Sequence, residues 1–220
     1  MNLEHMLPAD IESTSMGIIG AELEQMGVTL PPETEAVVKR VIHTSADFDY
    51  VRNLQFTDGA VRRGVEALRA GAVIVTDTNM AKAGVSKANL AKLGGEVFCF
   101  MADPGVAAQA KAGGTTRAVV SMEKAAKEYP GAILAVGNAP TALLKICELI
   151  RGGLRPALVI GVPVGFVNVV ESKEQVFQVC REFGVPCIAA MGRKGGSNVA
   201  AAICNALIYT ALDVLDPSRR

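Results

Sequence analysis

From about Gly71 onward, short apolar runs alternate with segments whose apolar residues recur at helical spacing. The runs are nearly continuous in apolar residues, as expected for strands of a parallel sheet that are buried on both faces. The predicted strands are Ala72–Thr76, Glu96–Phe100, Ala132–Val136, Ala157–Gly161 and Pro186–Ala190. The predicted helices are Pro104–Ala112, Met122–Glu128, Pro140–Gly152, Lys173–Phe183 and Asn198–Leu215.

This alternation predicts an α/β fold, a three-layer open parallel sheet of about five strands with helices on both faces. The N-terminal part of the chain differs, because it shows three helical stretches, Asp10–Met26, Glu33–Thr44 and Asp58–Ala70. We expect this N-terminal helical segment to cap the sheet or to form a subunit contact. No linker, low-complexity tract or internal repeat interrupts the sequence, so residues 1–220 are predicted to form a single domain.

The composition narrows the class of protein. Half of the residues are hydrophobic and the formal net charge is zero, which argues against a nucleic-acid or membrane-surface protein, since both need a basic excess or stripe. The positive mean hydropathy indicates a large buried sheet, a substantial subunit interface, or both. No apolar run is as long as a membrane-spanning helix, and the N-terminus lacks a basic-then-apolar signal pattern. We therefore expect a cytoplasmic protein.

The cysteines favour a packing role over metal binding. There are five of them, an odd number, and they are scattered without a Cys-x-x-Cys pair. This pattern argues against a zinc site or a disulfide framework and favours reduced, mostly buried thiols.

Glycine and polar residues follow each predicted strand, where ligands of open parallel sheets bind. These segments are Thr76–Asn79, Asp103–Gly105, Gly137–Thr141, Gly161–Asn168 and Met191–Ser197. They predict a binding rim that includes Asn79 and Asn138, although the segment around Asn138 could equally be an ordinary strand-to-helix connection.

The segment Gly192–Ser197 resembles an anion-binding loop before a helix. Its glycines let backbone N–H groups approach a ligand, the helix N-terminus adds partial positive charge, and Arg193 and Lys194 add full charges. The alternative is a tight turn in which Ser197 caps the helix and the cations face solvent. The spacing differs from that of a nucleotide P-loop, and no predicted strand leads into the glycine pattern of dinucleotide-binding folds.

His43 is the main candidate for proton transfer. The only other histidine, His5, lies near the N-terminus. His43 could be an acid/base catalyst or a core histidine hydrogen-bonded at a helix end, and the local sequence leaves both open. If the helix continued to Asp47, that carboxylate would share the face of His43 and could orient it. No Ser or Cys lies in a nucleophile-elbow pattern, so a hydrolase triad finds no support.

Two further residues, Ser15 and Arg117, could bind a ligand or could have a purely structural role. Ser15 belongs to a hydroxyl cluster that could donate neutral hydrogen bonds to a ligand or cap a helix. Arg117 follows Gly-Gly-Thr-Thr and could clamp a carboxylate in a bidentate manner, or could be a solvated or paired arginine.

Taken together, these segments resemble the precorrin-8X methylmutase family of corrin (vitamin B12) biosynthesis, also called cobalt-precorrin-8 methylmutases. The resemblance is carried by long stretches spread over essentially the whole chain. They are Val41–Asp47, Asp77–Met80, Val136–Ala142, Gly161–Val167 and Met191–Ser197.

The resemblance implies an isomerase without a cofactor. It would move a methyl group from C11 to C12 of the macrocycle by a formal 1,5-sigmatropic shift, giving hydrogenobyrinic acid, or cobyrinic acid when cobalt is already in the ring. The family's catalytic histidine matches His43, which would donate a proton to the ring and take it back. The family also implies a homodimer with its sites at the subunit interface.

The substrate of this family is a tetrapyrrole with acetate and propionate arms, so it needs many carboxylate partners. Arg40 precedes His43 by three residues on the same predicted helix, so both could face one site. The residues expected to bind substrate are Ser15, Arg40, Asn79, Arg117, Asn138, Arg193, Lys194, Gly195, Gly196 and Ser197. No metal site of the protein is predicted from the sequence, so any cobalt would belong to the substrate. Two rival hypotheses are a non-catalytic corrinoid carrier and an enzyme acting on a phosphorylated metabolite.

Overall fold

The computed structural model describes residues 7–219, so His5 lies outside the described residues. The helices are α1 (Pro8–Gln25), α2 (Pro32–Ser45), α3 (Tyr50–Asn53), α4 (Ala60–Arg69), α5 (Asn79–Gly84), α6 (Lys87–Lys92), α7 (Pro104–Ala112), α8 (Arg117–Glu128), α9 (Pro140–Arg151), α10 (Val169–Glu182) and α11 (Ser197–Ala211). The strands are β1 (Leu54–Phe56), β2 (Ile74–Thr76), β3 (Val97–Phe98), β4 (Ile133–Val136), β5 (Leu158–Gly161) and β6 (Cys187–Ala190), and a 3-10 turn covers Pro217–Arg219.

The six strands form one sheet in the order β1-β6-β5-β4-β2-β3. Strands β2 to β6 pair in parallel, whereas β1 pairs antiparallel with β6 at one edge, with Leu54 opposite Ala190. The chain passes from β2 outward to β3 and then returns to place β4 on the other side of β2. The carboxyl ends of β2 and β4 therefore flank the topological switch point, where ligands of open α/β sheets bind.

Alternate residues of the strands bury into two separate cores. Ile133 and Ala135 of β4 face a core formed with α1, α2, α4, α5, α6 and α11. Leu134 and Val136 face the opposite core, formed with α8, α9 and α10. This alternation follows from the pleat of a strand, in which successive side chains point to opposite faces. The predicted three-layer α/β architecture is confirmed.

The N-terminal helices are positioned by the long apolar helix α11. Helix α2 begins at Pro32, where a proline suits the first turn, and packs against both α1 and α11. It ends at Ser45 because Ala46 adopts the left-handed conformation and turns the chain away from the helix axis. His43 therefore lies in the last turn of α2.

The five predicted strands are all present, each shorter than predicted by one to three residues. The prediction missed β1, since three residues interrupted by the polar Gln55 give too short an apolar run. It also missed the short helices α3, α5 and α6. Within residues 7–219, no helix has both the length and the apolar character needed to span a membrane.

Candidate active site

His43 is hydrogen-bonded to a serine of the preceding helix. The Ser15 Oγ lies 2.8 Å from the His43 Nδ1, and the bond joins α1 to α2 across 28 positions of sequence. A hydroxyl can donate to Nδ1 of a neutral imidazole and accept from the protonated Nδ1–H of an imidazolium. Ser15 can therefore keep the ring oriented in both protonation states.

His43 and Ser15 line a cavity of about 520 Å³ between α1 and the end of α2. Its wall is mainly apolar and includes Ile11, Ile18 and Phe48. Ile11 and Ile18 are also exposed, so the apolar lining continues onto the surface of α1. An apolar cavity with few polar groups is typical of a ligand site, and here those groups include a histidine that can exchange a proton.

Asp47 and Asp49 bind the glycine-rich loop instead of His43. The Lys194 Nζ lies 2.7 Å from the Asp47 Oδ2 and 2.6 Å from the Asp49 Oδ2. The hydrogen bond from Lys194 lowers the pKa of Asp47, and the two carboxylates raise the pKa of Lys194. Because α2 ends at Ser45, the conditional pairing of Asp47 with His43 does not form. The ion pairs instead tie the segment after His43 to the carboxyl-end rim of the sheet.

At the switch point, a buried carboxylate binds the first amides of the β4–α9 connection. Asp77 accepts hydrogen bonds from the N–H groups of Gly137, Asn138 and Ala139 at 2.8, 2.8 and 2.7 Å. Burial raises the pKa of Asp77, while the three N–H donors act in the opposite direction. These amides are thus used by the protein itself, and the connection is fixed with the Asn138 side chain exposed at the rim.

The glycine-rich loop packs tightly against the ends of β4 and β5. A Cβ on Gly195 would overlap the carbonyl oxygen of Val162, and a Cβ on Gly137 would lie 2.7 Å from the Cα of Ser197. The Gly196 N–H donates to the Val162 carbonyl at 2.8 Å. Only residues without a side chain can therefore occupy positions 137 and 195 in this arrangement.

Ser197 does not cap α11, because it is the first residue of that helix. Its hydroxyl lies 2.8 Å from the Thr78 Oγ1, and the Thr78 hydroxyl in turn accepts from the Ala81 N–H as the N-cap of α5. This pair links the β6–α11 loop to the β2–α5 loop, so Asn79 and Ser197 belong to the same stretch of rim.

Arg193 lies over an exposed aromatic ring of the neighbouring β5–α10 loop. Its guanidinium carbon lies 5.4 Å from the centre of the Phe166 ring, and both side chains are exposed. The loop cations are therefore held by specific partners, Arg193 by Phe166 and Lys194 by two aspartates, instead of extending freely into solvent.

Neither Arg117 nor Arg40 lines the His43 cavity. Arg117 is exposed at the start of α8 and forms no ion pair within residues 7–219, and its neighbour Thr116 bonds Thr141 of the β4–α9 segment. Arg40 is buried, forms an ion pair with Glu12 and lies over the ring of Tyr209. Arg40 lines a separate cavity of about 290 Å³, so the structure does not bring its guanidinium to the His43 cavity.

Sequence reasoning gave no role to Lys173, which is fully buried and supports the glycine-rich loop. Its Nζ donates to the carbonyls of Gly192 and Lys194 at 2.9 and 2.8 Å, and burial lowers its pKa to about 8. A signal was available in the sequence. Lys173 occupies the apolar stripe of α10 between Val169 and Val176, where a lysine is unusual.

No metal site is evident in the part of the chain that the structure describes. Among residues 7–219, no group of three or more His, Cys, Asp or Glu side chains is arranged to hold a metal ion. The cysteines within this range are all free thiols, four of them buried.

Comparison with known proteins identifies the family of this site. Residues 10–210 match the family model for precorrin-8X methylmutase. The chain is 44% identical over 205 residues to a cobalt-precorrin-8 methylmutase from Priestia megaterium, covering 93% of this chain and 88% of that protein. It is 43% identical to the cobalt-precorrin-8 methylmutase of Salmonella typhimurium, covering 92% and 95% of the two chains.

The fold agrees with that of a solved member. A structure of precorrin-8X methyl mutase from Thermus thermophilus superposes with a TM-score of 0.82 at 42% sequence identity, covering 92% of this chain and 98% of the other. The family match spans every element that builds the His43 cavity and the rim. The chain therefore belongs to the precorrin-8X methylmutase family of enzymes.

Proposed function

We propose that this protein moves a methyl group from C11 to C12 of precorrin-8 or cobalt-precorrin-8, giving hydrogenobyrinic or cobyrinic acid. The observation that carries the proposal is the hydrogen-bonded His43 in a mainly apolar cavity, in a chain that belongs to this family. Protonating the conjugated macrocycle makes it electron-poor and lowers the barrier to methyl migration. A single well-placed general acid of this kind contributes typically about 10²–10⁴-fold.

In this proposal His43 donates a proton to the ring and recovers it after the methyl group has moved. No proton is consumed overall, as an isomerisation requires. Because Ser15 engages Nδ1, we assign the exchange with the macrocycle to Nε2. The apolar wall of Ile11, Ile18 and Phe48 contacts the hydrocarbon part of the ligand and excludes water from the reacting carbon atoms.

The carboxylate arms of the substrate are proposed to bind the polar rim. Four elements contribute groups of suitable chemistry: the starts of α5, α8 and α9 and the β6–α11 loop. The residues are Asn79, Arg117, Asn138, Arg193, Lys194, Gly195, Gly196 and Ser197. Arg40 could join them only if its ion pair with Glu12 were broken.

We further propose a homodimer that completes the site. A cavity of about 520 Å³ lies within the range for drug-sized ligands and is small for a macrocycle with several carboxylate arms. Exposed Leu7, Ile11 and Ile18 lie along α1 beside the cavity and form an apolar stripe that a second subunit could cover. Ile18→Lys should therefore lower the dimer fraction in analytical ultracentrifugation. Ala108→Lys should not, because this exposed residue lies on α7, which packs against α8 on the other side of the sheet.

The two rival hypotheses are less well supported. A non-catalytic corrinoid carrier is not favoured, because the relatives are named as methylmutases. The second rival is an enzyme that acts on a phosphorylated metabolite. The backbone N–H groups at the switch point are not free to bind its phosphate, because they already donate to Asp77.

The decisive experiment is His43→Ala assayed with precorrin-8 and followed by the change in the absorption spectrum. We expect turnover to fall by about 10²–10⁴-fold while product binding is largely retained. Arg155→Ala serves as a control, because this arginine binds the carbonyls of Ile150 and Leu154 in a different part of the surface. Undiminished turnover in folded His43→Ala protein would contradict the assigned role. A wild-type protein that binds corrinoid without changing its spectrum would instead be a carrier.

A further inference from the structure

Packing alone does not explain why a lysine occupies position 173 in the protein interior. Its side chain is fully buried on α10, and within residues 7–219 it forms no ion pair. Taking an ammonium group out of water is costly unless it is well hydrogen-bonded, and an apolar side chain would fill the same space without that cost. The charge therefore needs an explanation other than core filling.

Its two acceptors belong to alternate peptide groups of the glycine-rich loop. Lys173 Nζ binds the carbonyls of Gly192 and Lys194, and the described chain contains no cis peptide bond. In a planar trans peptide the C=O and the following N–H point in opposite directions. The N–H groups of Arg193 and Gly195 must therefore point away from the buried ammonium.

Those two N–H groups are candidates to bind a ligand. Neither of them donates a hydrogen bond to another group within residues 7–219. Unpaired backbone N–H groups on the outer side of a loop present partial positive charge to an anion. The side chains of Arg193 and Lys194 lie on the same loop, and the buried ammonium behind it adds a third positive charge. The carboxylates of Asp47 and Asp49, which bind Lys194, offset two of these charges, so one net positive charge remains.

We propose that Lys173 is a positioning residue that fixes the peptide groups of residues 192–195 so that the loop is preorganised for a carboxylate arm of the corrinoid. This inference rests on the proposed function for the identity of the ligand. Lys173 itself touches loop carbonyls and makes no contact with substrate. Its effect should therefore appear in the affinity for carboxylates more than in the methyl-transfer step.

The test compares Lys173→Met with Ser172→Ala in the full-length protein. Met matches the length of lysine and removes both the charge and the donors. Ser172 is the matched control, since it is equally buried and adjacent, yet its hydroxyl bonds Val169 within α10. Hydrogen exchange of the Gly196 and Gly165 amides, which donate to the Val162 and Arg193 carbonyls, reports on the loop without ligand. Titration with hydrogenobyrinic acid gives Kd, and precorrin-8 kinetics give kcat and KM.

We expect Lys173→Met to accelerate exchange at both amides and to raise Kd and KM at least about tenfold, while kcat changes less than about threefold. Ser172→Ala should match wild type in all of these. If Lys173→Met does not fold, Lys173→Gln, which keeps neutral donors, should show a smaller shift in the same direction.

Three results would overturn the inference: unchanged loop exchange with unchanged Kd, an equal fall in kcat and kcat/KM, or the same changes in Ser172→Ala. If wild-type protein neither binds hydrogenobyrinic acid nor converts precorrin-8, the proposed function fails by itself. The exchange measurement would still decide whether Lys173 positions the loop.

Discussion

Removing the Ser15 hydroxyl should weaken catalysis by an amount set by one hydrogen bond. Ser15 Oγ lies 2.8 Å from His43 Nδ1, in a partly buried setting. In Ser15→Ala the imidazole loses this partner in both protonation states, so the ring samples orientations that are unproductive for proton transfer. Packing should change little, since only one oxygen atom is deleted from the cavity wall.

The expected magnitude follows from the value of a neutral hydrogen bond, about 0.5–1.5 kcal/mol net. Converted to a rate at about 1.4 kcal/mol per factor of ten, this gives a fall in kcat/KM of about 2- to 12-fold. The loss should be much smaller than that of His43→Ala, because Ser15→Ala leaves the proton donor in place.

The assay is steady-state conversion of precorrin-8 by wild type, Ser15→Ala, His43→Ala and the double variant. Because Ser15 is argued to act through His43, the two changes should be non-additive, and Ser15→Ala should have almost no effect when His43 is absent. Ser13→Ala is the control, since this neighbouring hydroxyl does not line the cavity.

Two results would refute the reasoning. Equal kinetics for Ser15→Ala and Ser13→Ala would show that the hydrogen bond has no role in turnover. A loss of similar size with and without His43 would mean that Ser15 acts directly on the substrate.

Three further predictions concern the loop at residues 192–197. Gly195→Ala should lower the free energy of unfolding by about 1–3 kcal/mol in urea, because its Cβ overlaps the Val162 carbonyl, whereas Gly131→Ala, with no atom within 4 Å of its Cβ, should change it by less than about 0.5 kcal/mol. Lys194 lowers the pKa of Asp47, so this ion pair stabilises the fold above the ordinary Asp pKa and is lost as the pH falls through the lowered value. Thermal melts of wild type and Asp47→Asn should therefore differ most near neutral pH and converge in acid, and a constant difference would contradict this. Burial lowers the pKa of Lys173 to about 8, below the pKa of a lysine in the unfolded chain. Folding therefore becomes more favourable as the pH rises between these two values, because the unfolded chain still holds a proton that the folded protein has released. Binding of hydrogenobyrinic acid should nevertheless weaken above about pH 8 in wild type, because Lys173 then loses its charge. Binding should stay level in Lys173→Met, since Lys194 has a raised pKa and keeps its charge. Parallel profiles would exclude Lys173 as the titrating group.

The architecture could be predicted from local patterns because burial imposes them directly. A strand buried on both faces must be apolar throughout, and each of the five parallel strands appears in the sequence as such a run. The edge strand β1 lacks this property, since one of its three residues is exposed, and it is recognised only through its pairing with β6. The same applies to the short helices α3, α5 and α6, which are too brief to show a helical period.

The sequence by itself determined the layers of the fold, the family and the residues at the carboxyl ends of the strands, because period, glycine spacing and motif identity are properties of neighbouring residues. Only the tertiary structure decided which side chains meet. In the structure His43 bonds Ser15 and not Asp47, and Lys194 binds two aspartates about 145 positions earlier in the chain. Arg40 is buried in an ion pair with Glu12, and Lys173 lies beneath the glycine-rich loop. These contacts depend on where α2 ends and on how α1, α10 and the β6–α11 loop pack around the sheet. Such distances are set by the whole fold, and no local spacing encodes them.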